Sequence, residues 1–219
     1  TDDKMNLAFK KDLADNRKDW LYNYDSNTII EGDETEIPID RFIDNELIHF
    51  SNSDTLRSIG SVCDGLKPSQ RKILYCAFKR KLYTEIRVAQ LAGYVSENAA
   101  YHHGEASLHG TIINLAQDYV GSNNINLLKP NGQFGTRIIG GSDAASPRYI
   151  HTELNPIVKY IYPEIDFPLL NYIDDDGLLV EPTYYIPIIP MVLANGMVGI
   201  GTGFSTKIPQ FNPLDIIRN

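Results

Sequence analysis

Residues 88–121, VAQLAGYVSENAAYHHGEASLHGTIINLAQDYVG, decide how the rest of the chain is read. Apolar residues recur at helical spacing from Val88 to about Val95, and again from Glu105 to about Tyr119. Between them, Ser96 to His103 breaks the pattern. Gly104 stands where the second helix begins and Gly121 where it ends, positions at which glycine punctuates helices. Two short helices joined by a tight turn predict a helix-turn-helix.

The segment that follows, NNINLLKPNGQFGTRIIGGSDAASPRYIHTEL (123–154), sets short β-prone runs between turn signals at Pro130-Asn131-Gly132 and Gly140-Gly141. A β-ribbon after a helix-turn-helix is a wing, so a winged helix is expected. Upstream, KPSQRKILYCAFKRK (67–81) places Pro68 at a helix start and Ile73, Leu74, Ala77 and Phe78 on one face. Arg71, Lys72, Lys79 and Arg80 fall on the other. DRFIDNELIHFSNSDTLRSIGSVCDGL (40–66) reads as a helix with an apolar face, and LAFKKDLADNRKDWLYNY (7–24) as an exposed one. Beyond Leu178, prolines and β-branched residues predict short strands and loops of another module, with NPLDIIRN opening a helix.

The chain's 219 residues and 42% hydrophobic content support a real core. Its net charge of −8 argues weakly against nucleic acid, but the distribution matters more. Residues 57–87 hold 8 bases and 2 acids, whereas residues 1–50 hold 13 acids and 6 bases. No apolar run suits a membrane span or a signal peptide. Cys63 and Cys76 are too few for a disulfide framework and are expected as core thiols in a reducing compartment.

The chemistry-bearing stretch is AASPRYIHT (144–152), where Arg148 precedes Tyr149 among small residues. A free phenol, with a pKa near ~10, is a poor nucleophile at neutral pH. It becomes useful in phosphoryl transfer when a cation stands beside it and a phosphate is bound in line. Arg148 is permanently charged, and its fork suits phosphate oxygens. Small neighbours would let a bulky anionic polymer approach the backbone. His102 or His103, at the mouth of a helix, is a candidate general base or phosphate contact. Glu31–Asp33 (EGD) lacks the second acidic cluster a shared ion needs. GIGTG (199–203) lacks the lysine and the glycine spacing of a nucleotide loop.

DGLKPSQRKILY, AYHHGEASLHGTIINLAQDYVGSNNINLL, NGQFGTRIIGGSDAASPRYIHTEL and EPTYYIPIIPMVLANGMVGIGTGFSTKIPQFNP closely resemble, in order, blocks of the eukaryotic-type type IIA DNA topoisomerases. The resemblance implies an α+β fold: residues 1–50 as the exit from a metal-binding domain, 51–180 as a winged-helix cleavage domain, and 181–219 as the start of a tower domain. It implies Tyr149 as the DNA-cleaving tyrosine, Arg148 as its neighbouring cation, His103 as the active-site histidine, and Arg57 near the scissile phosphate. It also implies DNA contacts at Lys67, Arg71, His102, Gln133 and Arg137, and Ile200 as a wedge between base pairs, its flanking glycines letting the tip reach the groove. A homodimer would cut double-stranded DNA through 5′-phosphotyrosine links. Mg²⁺ ligands and an ATP-binding domain would lie outside this chain, and the fragment alone would cleave poorly. The compartment would be the nucleus for a cellular enzyme or host cytoplasm for a large-DNA-virus enzyme. Gly60, Ser142 and His109 depart from the family pattern, where a proline and a lysine are usual at the first two. A winged-helix module that binds DNA without chemistry, and a metal-independent tyrosine recombinase, are the rival readings. Covalent trapping, 5′ linkage and metal dependence separate them.

Overall fold

The computed structural model describes residues 2–32 and 35–219. Asp33, the last residue of the EGD triplet, therefore lies outside the described residues. Two compact units emerge, one from residues 1–60 with 198–207, the other from 61–197 with 208–219. The boundary between these units falls at Gly60/Ser61, and the late segment 198–207 falls with the first unit.

In the first unit, α1 (Asp2–Phe9), a 3-10 turn and α2 (Ala14–Tyr22) replace the single exposed helix expected there. Trp20 and Leu21 are buried with Ile43 and Ile48, because their flanking charges turn outward and leave one small apolar patch to be covered. The Trp20 indole N–H donates to Asp44 Oδ1 at 3.1 Å, which lets the ring enter the core without an orphaned donor. α3 (Ile39–Phe42) runs through a π-helical stretch at Ile43–Leu47 into α4 (Ile48–Ser58). The helix stops there rather than reaching Leu66. Ser61–Leu66 folds instead as a turn, with Gly65 at φ 70°, where a Cβ would meet Val192 N at 2.7 Å.

The second unit is built on three helices, α5 (Pro68–Lys79), α6 (Val88–Asn98) and α7 (Glu105–Ala116), as the periodicity predicts. Ile73, Leu74, Val88, Leu91, Val95, Leu108 and Ile112 are fully buried together. Each such side chain contributes roughly 1.5–3 kcal/mol of hydrophobic stabilisation. Tyr185 and Met191 join the same cluster, so this part of 181–219 does not core a module of its own.

The expected β-ribbon is mostly loop. β1 (Ile86–Arg87) pairs antiparallel with β2 (His151–Thr152), and single bridges join Asn131 to His151 and Leu128 to Leu154. Between Asn131 and Ile150 the ladder cannot continue. Gly132, Gly135, Gly140 and Gly141 all hold positive φ, and Pro147 has no N–H to donate. Next come α8 (Val158–Ile161), the hairpin of β3 (Tyr172–Asp175) and β4 (Leu178–Pro182), and α9 (Met191–Ala194). The hairpin of β5 (Met197–Ile200) and β6 (Ser205–Ile208) and α10 (Pro213–Arg218) complete an α+β fold. No helix among the described residues is long and apolar enough to cross a membrane.

Candidate functional site

Tyr149 sits in a turn closed by its own N–H donating to Ser146 O at 2.9 Å. That turn is fastened to the start of α6. The first amides of a helix have no intrahelical acceptor. Here Val88 N–H donates to Ile150 O at 3.0 Å and Ala89 N–H to Pro147 O at 3.1 Å. Ile150 is buried against Gly132, where an added Cβ would come within 2.9 Å of its Cγ2. With residues 147 and 150 fixed, Arg148 and Tyr149 are the two side chains left projecting. Tyr149 is 70% exposed, and its hydroxyl makes no hydrogen bond to a described residue. The Arg148 guanidinium lies 5.3 Å from the Tyr149 ring centroid. An accessible phenol held beside a cation, on a turn tied to a rigid helix, is able to attack an anionic centre delivered from solvent.

The loop before it is closed just as firmly. Thr136 donates its N–H to Asp143 Oδ1 at 2.7 Å and its hydroxyl to Oδ2 at 2.8 Å. Those bonds, the backbone one foremost, hold the Asp143 carboxyl below the usual range. The buried Gln117 amide donates to Phe134 O, and Ala145 N–H donates to Gln133 O. Gly141 is obligatory, since a Cβ would meet Gln117 Nε2 at 2.4 Å and Tyr119 OH at 2.6 Å. Gln133 and Arg137 are exposed on this loop, and the Ser142 hydroxyl donates to Ile139 O.

His103 is exposed just before Gly104, the N-cap of α7, with its ring edge-on to Tyr101 at 5.5 Å. His102 Nε2 lies 3.2 Å from Asp175 Oδ2 on the β3–β4 hairpin. Neither histidine makes a hydrogen bond or ring contact with Arg148 or Tyr149, so their role as base stays an expectation. Glu105 caps nothing and faces His109 at 3.3 Å.

Arg71 corrects the expected DNA contacts. It is 4% exposed, and its guanidinium donates to both Asp64 oxygens, at 2.7 and 3.1 Å, and to Leu66 O at 2.9 Å. Asp64 also accepts from Leu66 N–H and Tyr185 N–H, so both oxygens of the buried carboxylate are satisfied. Lys72 likewise turns inward, to Glu181 and Ala99 O. The basic stretch therefore loses two of its charges to the protein itself. Lys67 begins α5, its N–H donating to Gln70 Oε1, and its ammonium forms no ion pair with a described residue.

Arg57 and Ile200 belong to the first unit. Arg57 lies at the end of α4, its Nη2 3.3 Å from Asp54 Oδ1. Asp54 Oδ2 accepts from the Thr202 hydroxyl at 3.4 Å, so one carboxylate touches both the arginine and the hairpin loop. Sequence reading passed over Asp54, whose link to Thr202 spans 148 positions and leaves no local signal. Ile200 is 79% exposed rather than a buried strand residue. The glycines beside it also have a task that the sequence did not announce. A Cβ on Gly199 would overlap Ser58 O at 2.1 Å, and one on Gly201 would meet Thr55 Cα at 2.9 Å. They let the hairpin press backbone to backbone on α4. Among the cysteines, Cys76 is buried as expected and Cys63 is exposed, because it falls in the turn that ends the shortened helix.

The family profile for the A subunit of DNA gyrase/topoisomerase IV matches residues 57–219, and the "C-terminal associated domain of TOPRIM" profile matches 1–55. The chain is 57% identical over 217 residues to a DNA topoisomerase 2 of Candida albicans and 58% identical to one of Saccharomyces cerevisiae. It is 55% identical to a DNA topoisomerase 2, mitochondrial, of Dictyostelium discoideum. These matches cover 99% of this chain but 15% to 17% of each relative, so the chain spans about a sixth of their length. A Plasmodium falciparum topoisomerase II DNA-binding, cleavage and re-ligation domain superposes with a TM-score of 0.87 at 50% identity. That alignment covers 99% of this chain and 30% of the Plasmodium one.

Proposed function

The chain belongs to the family of DNA gyrase/topoisomerase IV A subunits, and on that footing we propose that it forms the tyrosine-bearing part of an ATP-dependent type II DNA topoisomerase of the eukaryotic kind. The Tyr149 oxygen attacks a backbone phosphorus of a gate duplex. The bond to the 3′ oxygen breaks, and a 5′-phosphotyrosine forms. The new ester keeps the bond energy, so return of the 3′-hydroxyl reseals the strand and frees the phenol. Two protomers, each cutting one strand, make a staggered double break through which a second duplex passes.

In this reading Arg148 neutralises charge at the attacked phosphate, Arg57 contacts DNA in the region of the scissile phosphate, and His103 takes part in proton transfer or phosphate binding. Lys67, Gln133, Arg137 and His102 contact DNA, the exposed His102 exchanging its half-buried partner Asp175 for a phosphate. Such a pair is worth at most about 1 kcal/mol, so the exchange is cheap. Ile200 enters between base pairs, an unstacking that costs a few kcal/mol and is offset by contacts along the bent duplex. The α6–α7 pair with its loop acts as a winged helix. Residues 1–50 lead out of a metal-binding domain, and 181–219 lead into a tower.

Among the described residues, no group of three or more His, Cys, Asp or Glu is placed to hold a metal ion. No step above passes through a magnesium ion. Mg²⁺ and ATP belong to the proposal for the whole enzyme, bound outside these residues. The relatives named above come from eukaryotes, one of them labelled mitochondrial, and the nucleus is the proposed compartment for this chain.

The exposure of the Tyr149 phenol beside Arg148, on an anchored turn, carries this reading. Its test is denaturation during turnover, followed by a search for DNA joined to protein. Adducts are expected from the wild-type enzyme, and Tyr149→Phe should abolish them while leaving DNA binding intact. Adducts that persist in the variant would refute the assignment. Duplex binding with no adduct in either protein would favour the binding-module alternative.

A further inference from the structure

The β5–β6 hairpin has two unlike faces. Gly201 N–H donates to Phe204 O, so residues 200 and 198 of β5 oppose 205 and 207 of β6. Side chains alternate across a strand, and burial follows that alternation on both strands. Gly199 and Gly201 turn toward α4, where there is no room for a Cβ. Val198, Ile200, Ser205 and Lys207 are exposed, Val198 at 63%. Lys207 is the single charged residue between Met197 and Ile208, and it forms no ion pair with a described residue. This face is therefore apolar at its centre and purely cationic, on a chain whose first 50 residues hold 13 acids and 6 bases.

We propose that Val198 and Lys207 extend the Ile200 wedge into a minor-groove docking face for duplex DNA, with Lys207 on a backbone phosphate and Val198 favouring A·T pairs beside the wedge. The proposal rests on reading Ile200 as the wedge, and it adds what that single residue cannot supply. An apolar wedge needs a nearby charge to keep the duplex in place. Lys207 stands across from Val198 and is free to serve. Two residues along a strand cover about 6.8 Å, roughly two base steps of duplex. The minor groove distinguishes G·C from A·T by the guanine amino group, a donor. The Val198 side chain has no acceptor for that donor, so a G·C pair against it leaves a buried N–H unpaired.

The enzyme that carries this chain tests the idea through duplex binding at several salt concentrations and on sites differing only near the kinked step. Lys207→Ala should weaken binding to all sequences alike and make the slope of log affinity against log salt shallower by about one unit. Wild type should prefer A·T-flanked sites several-fold, and Val198→Ser should erase that preference. An unchanged slope in Lys207→Ala, or an unchanged preference in Val198→Ser, overturns the proposal. So does a variant that alters self-association while leaving both readouts as they were, which would assign the face to a protein partner. Covalent adducts are scored in the same samples. Adducts with unaltered salt dependence mean that only the docking face is wrong. No adducts from wild type, with the slope changed as expected, means that only the cleavage reading is wrong.

Discussion

At the scale of single residues, burial decides what chemistry each side chain retains. Cys76 is enclosed in the core, and burial above all pushes its thiol from an ordinary value of 9.0 up to about 12. A raised folded value means that the protonated thiol stabilises the fold fully below about pH 9, and that this contribution is lost as pH rises toward 12. Alkylation at pH 8.5 should therefore modify Cys63 and spare Cys76 until the protein unfolds. Arg71 is the opposite lesson. Its place in a basic run suggested a DNA contact, yet its partner Asp64 lies in a turn, and the amide completing the cluster comes from Tyr185, 121 residues from Asp64. No local pattern announces such a pairing. Arg71→Ala would leave a buried carboxylate uncompensated, so denaturant unfolding should show a loss of about 3–5 kcal/mol. Tyr149 is singled out by its motif, not its surroundings, and the structure adds the exposure of its phenol, which the motif could not state.

At the scale of elements, α5, α6 and α7 were readable because amphipathic spacing, Pro68 and Gly104 all agree. The ribbon was not, since four left-handed glycines and a proline break its ladder, and these residues signal a turn without giving its course. The decisive junction is between α6 and the tyrosine turn. Arg87 already has φ −63° and ψ 142°, the extended form proline demands of its predecessor, and Val88 is the first helical residue. Val88→Pro should keep α6 but remove the amide that holds Ile150 O, at a cost of about 1 kcal/mol. Circular dichroism should show the helix retained, while covalent adduct yield falls with the loosened turn. Adduct yield at the wild-type level would mean that this anchor does not position the tyrosine.

At the scale of the whole chain, the return of residues 198–207 to the first unit was invisible in the sequence, because contact between hairpin and α4 spans well over a hundred positions. The glycines of GIGTG did register as freedom for a tip, and their room for another backbone did not. Gly199→Ala should force the hairpin off α4 and, as overpacking does, cost about 1–3 kcal/mol. Thermal unfolding measures the loss, and DNA bending should weaken with it. A fully stable variant would show that the close approach at Ser58 does not hold the hairpin. The most direct measurement of the central claim is mass spectrometry of the trapped adduct, on DNA labelled separately at each end. A nucleotide remnant is expected on the phenolic oxygen of Tyr149, joined through a 5′ phosphate. A remnant on another residue, or a 3′ linkage, would contradict it.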